Sequence, residues 1–272
     1  MTSELTATLE ILGSGTSHGV PFVACNCAVC TSQDPLDKRY RQSAILKVSN
    51  GTNILIDSGP EMRLQLLRSN ISRIHSVIYT HPHADHIHGL EDLTVLSKYN
   101  EINLYMNNDT MPEVQSRYHY LFSERALAHK KHQLNLRLID KNPFFIDNIQ
   151  IIPIPLKHGE LTVYGYRFGN IGYCTDTNYI CSASLDLLKG VEILFIDGLQ
   201  SHRHPTHYSF SQALSIIEEI QPKKAFLIHI SHGHSHQEIE EFLQKEQKTN
   251  KLLAEIDIHP AYDGLIIDNI PL

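Results

Sequence analysis

The sequence predicts an α/β protein in which two mixed β-sheets pack face to face and helices cover their outer faces. Three observations predict it. Short apolar or alternating runs recur through both halves of the chain, helical spacings fall between them at strand ends, and no low-complexity linker or alignable repeat divides the 272 residues. A sheet must bury its apolar face against another layer, so strands distributed in this way call for two packed sheets with helices outside. One domain spanning 1–272 is expected, with a helical insertion or lid at about 90–142.

The elements follow in order. TATLEILG alternates and is β-branched, as a first strand would be. SAILKVSNGTNILIDSG places Asn50-Gly51 between two alternating runs, which predicts a hairpin. PEMRLQLLRSN puts Pro60 at a helix start ahead of apolar residues at helical spacing. HSVIYTH is a short buried strand that runs into a histidine cluster. From Leu90 to about Asn142 the pattern loosens into helical stretches with one short strand, INLYM. Three β-rich blocks come next: NPFFIDNIQIIPIPLKHG, YGYRFGNIGYCTDT and VEILFIDG. FSQALSIIEEIQP and SHQEIEEFLQKEQK read as helices around the strand KKAFLIHIS, and a last hairpin is expected around AYDGLIID.

Composition narrows the function classes. No run approaches the roughly 20 apolar residues of a membrane span. The opening MTSELTATLEILGSG lacks a basic segment and a cleavable apolar stretch, so the expected location is the cytoplasm, with no membrane partner. A formal charge of −7 offers no basic footprint, and nucleic acid is not the expected partner. Five cysteines, three of them clustered, do not make a disulfide framework. Eighteen histidines, many grouped, point toward metal.

Two clusters carry the chemistry. CNCAVC offers Cys25, Cys27 and Cys30, three of the four ligands that a tetrahedral structural zinc takes. Free thiols in a cysteine-rich loop are the bland alternative. Cys174 and Cys181 lie elsewhere and read as small buried hydrophobes. In THPHADHIHG, alternate side chains of an extended backbone let His81 and His83 grip one ion, while Asp85 and His86, displaced by the next turn, reach a second. A lone pair of histidines would as readily be surface residues; four ligand types in six positions after an apolar strand are much more specific.

Here the chain resembles the metallo-β-lactamase superfamily, whose hallmark is HxHxDH at this point, and the resemblance covers almost the whole sequence. It implies an αββα sandwich and adds His158 in PLKHG, Asp176 in YCTDTNY and His229 in FLIHISH as ligands. One divalent ion would be held by His81, His83, His158 and Asp176, the other by Asp85, His86, Asp176 and His229. Taken alone, each distal residue has a plainer role as a bonded core histidine or a turn aspartate. GSGTSHGVP, CNCAVC, HADHIHGL, HPTHYS, LIHISH and AYDGL resemble the cyclic phosphodiesterases of the carbon–phosphorus lyase pathway. That likeness implies a structural zinc on Cys25, Cys27, Cys30 and His232, with His18 or His234 as alternative fourth ligands. It also implies His207 as the proton donor, the competing role being a helix cap near Ser209. Asp85 is the other catalytic candidate, and a homodimer is expected by analogy alone. Asp57 in LIDSG and Asp263 in AYDGL are expected to support the ligands by bonding their free ring nitrogens.

Two cations about 3.5–4 Å apart lower the pKa of a bridging water and neutralise phosphoryl charge. The expected activity is therefore cleavage of a small or cyclic phosphodiester. Zinc, manganese and iron all suit imidazole and carboxylate ligands. YHYLFSERALAHKKHQ, with Arg125, Lys130 and Lys131, is either a lid beside the site or a solvated amphipathic helix. The rival functions are a thiolesterase or lactonase, a transfer-RNA 3′-end nuclease, and a non-hydrolytic protein of the pyrroloquinoline-quinone pathway type. Only 17 residues separate His158 from Asp176, too few for the long tRNA-holding arm of bacterial forms of the nuclease.

Overall fold

A computed structural model describes residues 5–124 and 132–272. The first sheet contains β1 (Thr6–Gly13), β2 (Ser43–Val48), β3 (Asn53–Ile56), β4 (Ser76–Ile78), β5 (Ile102–Met106) and β6 (Leu134–Leu138). The second contains β7 (Phe144–Ile146), β8 (Ile149–His158), β9 (Leu161–Phe168), β10 (Ile171–Cys174), β11 (Ile193–Asp197), β12 (Lys224–Ile228) and β13 (Asp257–Pro260). The last strand, β14 (Ile266–Pro271), returns to the first sheet beside β1. In chain order the helices are α1 (Ala28–Thr31), α2 (Met62–Arg68), α3 (Ala84–Ile87), α4 (Leu93–Leu96), α5 (Thr110–Arg117), α6 (His119–Phe122), α7 (Ser182–Leu188), α8 (Phe210–Ile220) and α9 (His236–Thr249).

Each sheet is antiparallel at one side and parallel at the other: β3 to β6 run parallel in one, β10 to β13 in the other. Parallel neighbours need a crossover, and α2, α7, α8 and α9 supply four of them. Strand alternation sorts the apolar residues into three layers. Leu9, Ile11, Leu46 and Ile56 of the first sheet meet Tyr166, Tyr173, Phe195 and Ile228 of the second between the sheets. Their sequence neighbours Ile45, Leu55 and Val77 face α2, where Met62 and Leu66 cover them. On the other side Leu194, Ile196 and Leu227 pack under Leu214, Ile217, Ile239 and Leu243 of α8 and α9. This is the expected αββα sandwich.

Helix starts are set by local chemistry. Ser209 with Gln212 opens α8, and Ser235 with Glu238 opens α9, each pair forming a reciprocal capping box. The Asn50-Gly51 turn joins β2 to β3 as expected, with Gly51 at φ +92°.

Two expectations are corrected. The stretch from Leu90 to Asn142 holds a second strand, β6, which pairs in parallel with β5 and extends the first sheet. LNLRL is half polar because it forms the sheet edge, so its short alternation did not separate it from helix. AYDGLIID is not a hairpin either: β13 pairs with β12 in the second sheet, whereas β14 pairs with β1 in the first. The intervening turn carries the chain from one sheet to the other. Arg125, Lys130 and Lys131 of the expected lid lie outside the described residues. Among those described, no helix is long and apolar enough to cross a membrane.

Candidate metal centre

The site is built at the C-terminal ends of strands, where parallel strands leave loops free of ladder bonds. After β4, Thr80 leads into His81 and His83; the chain then turns through α3, with the His86 and Ile87 amides bonding to the His83 carbonyl. That turn swings Asp85 and His86 back toward the strand. It sits tightly against the β3 exit loop: Ser58 N–H bonds His86 O, and Gly89 N–H bonds Ser58 O, both at 2.7 Å. A Cβ on Gly59 would lie 2.3 Å from Asp85 O, so only glycine allows this approach.

The second sheet supplies the rest. His158 ends β8, Asp176 follows β10 at φ +50°, and His229 follows β12 at φ +59°. One ligand atom each from His81, His83 and His158 gathers within 4.8 Å, and likewise from Asp85, His86, Asp176 and His229. Asp176 reaches both groups, with Oδ1 3.3 Å from His86 Nε2 and Oδ2 3.3 Å from His229 Nε2 and 3.7 Å from His81 Nε2. All seven residues expected as ligands are therefore brought together; Asp176 groups with Asp85, His86 and His229, and approaches the other three through His81.

Three of the far ring nitrogens are held as ligating histidines require. His86 Nδ1 lies 2.7 Å from Asp57 Oδ2, His81 Nδ1 is 3.0 Å from Thr80 Oγ1, and His158 Nδ1 donates to Thr206 O at 2.8 Å. Asp57 also accepts from Thr80 N and Thr80 Oγ1, so its expected supporting place is where the structure puts it.

The donor set suits cations. Asp85 Oδ2, His86 Nε2 and His229 Nε2 are buried with no hydrogen-bond partner, and buried polar atoms seldom go unpaired. Burial pulls His81, His83 and His158 down, which favours the neutral imidazole that binds metal. Burial pushes the Asp85 and Asp176 carboxyls up, but adjacent histidines outweigh it and hold both far below the usual range. Burial also opposes charge on His86, yet Asp176, Asp85 and Asp57 raise it well above its ordinary value, so a cation there competes with a proton.

His207 lies beside these groups, its ring centroid 4.6 Å from those of both His158 and His229. It does not cap α8, which Ser209 does. Its Nδ1 is 2.6 Å from Asp197 Oδ2. Burial lowers His207, but Asp197 reverses that and, with Asp176 and Asp85, pushes it up to about 9. Asp197 was missed in the sequence. Its signal was present: FIDG ends a buried apolar strand just as LIDSG does at Asp57.

The cysteine clip also assembles. Cys25, Cys27 and Cys30 each place Sγ 3.4 Å from His232 Nδ1. A tetrahedron with Zn–S about 2.3 Å and Zn–N about 2.0 Å has S···N edges of about 3.5 Å, so the four fit. The Cys30 amide bond draws the Cys27 thiol down to about 6, whereas burial pushes Cys30 up to about 11. The alternatives do not reach: His234 Nε2 bonds Ser201 Oγ, and His18 Nδ1 bonds Ser17 Oγ. Two expectations fail. Asp263 touches no ligand; it holds Ser14, Tyr40 N and Arg68, because its turn lies where the chain crosses between sheets. Ser14 O in turn accepts from Ile230 N, so Asp263 supports the loop after His229 only at one remove. Cys174 is buried, but Cys181 is half-exposed at the N-cap of α7, where bonds to Ser184 lower its thiol.

Residues 52–230 match the β-lactamase superfamily domain. The chain belongs to the metallo-β-lactamase superfamily. A crystal structure described as a new diphosphatase from the PhnP family aligns with a TM-score of 0.87 at 37% identity, covering 98% of this chain and 100% of that one. A protein of Porphyromonas gingivalis (strain ATCC BAA-308 / W83) named octanoyltransferase is 35% identical over 262 residues, 95% of this chain and 51% of that protein. The chain thus spans about half the length of that relative. A ribonuclease Z of Anoxybacillus flavithermus (strain DSM 21510 / WK1) is 23% identical over 284 residues, 82% of this chain and 87% of that one. Metallo-β-lactamase membership places the chain in a fold built around divalent metal.

Proposed function

We propose that this metallo-β-lactamase hydrolase is a dinuclear phosphodiesterase acting on a small diester, either cyclic or of the diphosphate kind, with a separate structural zinc on the cysteine clip. The observation that carries the reading is His207, placed within ring contact of His158 and His229 and bonded to Asp197. His81, His83 and His158 on one side and Asp85, His86, Asp176 and His229 on the other would hold a pair of divalent cations, zinc or manganese or iron, which would supply an activated water and neutralise phosphoryl charge. His207 then gives its Nε2 proton to the departing oxygen, which without one would re-attack. Asp197 keeps the His207 proton supply by fixing Nδ1–H. The solved PhnP-family diphosphatase, matched over its full length, supports a phosphorus substrate.

Nuclease action on tRNA is disfavoured. The residues between His158 and Asp176 are taken up by the β9–β10 hairpin, which pairs with β8 and β11 in the sheet. A second reading, hydrolysis of an acyl thioester, is favoured by the octanoyltransferase name of a 35% identical relative. A panel of bis(p-nitrophenyl) phosphate, 2′,3′-cyclic nucleotides, a diphosphate diester and octanoyl thioesters decides between them. Phosphodiester turnover by metal-loaded protein is expected; turnover of the thioester alone replaces the reading.

A further inference from the structure

Asp197 has two oxygens, and only one of them is used by the contacts described so far. Oδ2 accepts from His207 Nδ1 at 2.6 Å and from Thr177 N at 2.8 Å. Oδ1 is buried and has no bond, in a residue with no exposed surface. On the ligand side, His229 Nε2 faces Asp176 and Asp85 at 3.3 and 3.7 Å, and its Nδ1 is buried and equally without a bond. His229 is also the one imidazole at the end of β12 whose far nitrogen lacks the kind of acceptor that Asp57 gives His86 and Thr206 gives His158. A ligating histidine ordinarily has such an acceptor, and losing it costs about 10–100-fold in metal affinity. The missing partner is at hand. A carboxylate oxygen of Asp197, a ring nitrogen of His207 and one of His229 all lie within 4.8 Å, and the two rings stack at 4.6 Å and 13°. Asp197 Oδ1 and His229 Nδ1 make no direct bond, and the nearness of the two residues leaves one bridging water to join them.

We propose that Asp197 is a shared positioning residue: Oδ2 orients the proton donor His207, and Oδ1 orients the ligand His229. Its bond to Thr177 N adds a third duty, since Thr177 adjoins the shared ligand Asp176, whose backbone is at φ +50°. One carboxylate at the end of β11 then sets the donor, a ligand and the shared carboxylate in one frame. A group serving His207 alone would need no burial of its second oxygen.

The inference rests on reading the cluster as a metal centre and not on the substrate class. Its test is therefore metal affinity, measured by chelator competition on the full chain. Asp197→Asn keeps the shape and removes one acceptor. In a His207→Ala background, where the donor's orientation no longer matters, Asp197→Asn is expected to weaken one cation site by about 10–100-fold. Unchanged affinity in that background overturns the proposal and leaves Asp197 as the partner of His207 alone. If Asp197→Asn does not fold, nitrogen-15 spectra of the zinc-loaded wild type decide. A slowly exchanging N–H on His229 Nδ1 is expected, and a fast-exchanging one overturns the proposal. Neither readout depends on turnover, so inactivity toward phosphodiesters leaves this result standing.

Discussion

A histidine that donates a proton must hold it at working pH and be free of the metal. His207 meets the first condition because Asp197 raises it to about 9. The sign follows directly: the protonated form is the donor, so activity is full below that value and falls as pH rises through it. Asp197→Asn should move the alkaline limb of kcat down toward the ordinary histidine range of about 6.5. His207→Ala should cut kcat by about 10²–10⁴-fold while metal content persists; loss of metal on elemental analysis would make His207 a ligand instead. Asp57 acts through His86, which it holds at 2.7 Å. Asp57→Asn should therefore weaken cation binding by about 10–100-fold, measured by competition with a chelator, with a smaller change in kcat at saturating metal.

Elements matter through where they end. The loops after β3, β4, β10 and β12 place Asp57, the HPHADH run, Asp176 and His229, three of those residues at positive φ. Asp and His enter this left-handed backbone more readily than most side chains, and the surrounding bonds hold them there. The loop after β12 is tied twice, by His229 to the cluster and by His232 to the cysteines three residues on. Cys30→Ser should remove the clip's metal, lower Tm and raise KM or lower kcat by loosening His229, while metal in the main cluster is retained at excess. Equal zinc content in wild type and variant would show that the clip holds none. Gly59 works at the same scale. Gly59→Ala should displace Asp85, whose carbonyl would sit 2.3 Å from the new Cβ, and the check is loss of metal without global unfolding.

On the scale of the whole molecule, the ligands come from both sheets: His81, His83, Asp85 and His86 from the first, His158, Asp176 and His229 from the second. Cations held there would therefore bridge the two layers. Ligand linkage at a free metal concentration about 1,000 times Kd amounts to about 4 kcal/mol. With about 2–4 °C of Tm per kcal/mol, chelation should lower Tm by on the order of 10 °C, which calorimetry with and without chelator measures. The two sheets also share one pattern of pairings, antiparallel from β1 to β3 and from β8 to β10, then parallel across three pairs in each. Asp57 and Asp176 follow matching strands in the two halves, both at positive φ. No repeat was legible in the sequence, because a sheet asks only for alternating apolar residues and for few particular ones.

The amino-acid string by itself determined most strands, the two-sheet layering and the HPHADH and CNCAVC clusters, because periodicity and clustered side chains are local properties, whereas His158, Asp176 and His229 became candidates only through the family resemblance. It could not show the pairing of β6 with β5, the crossing of AYDGL between sheets, the choice of His232 over His18 and His234, or Asp197 behind His207. Each of these depends on which distant segments lie side by side. Tertiary packing decided them, since an edge strand, a turn between layers and a carboxylate beside an imidazole are set by neighbours far away in the chain.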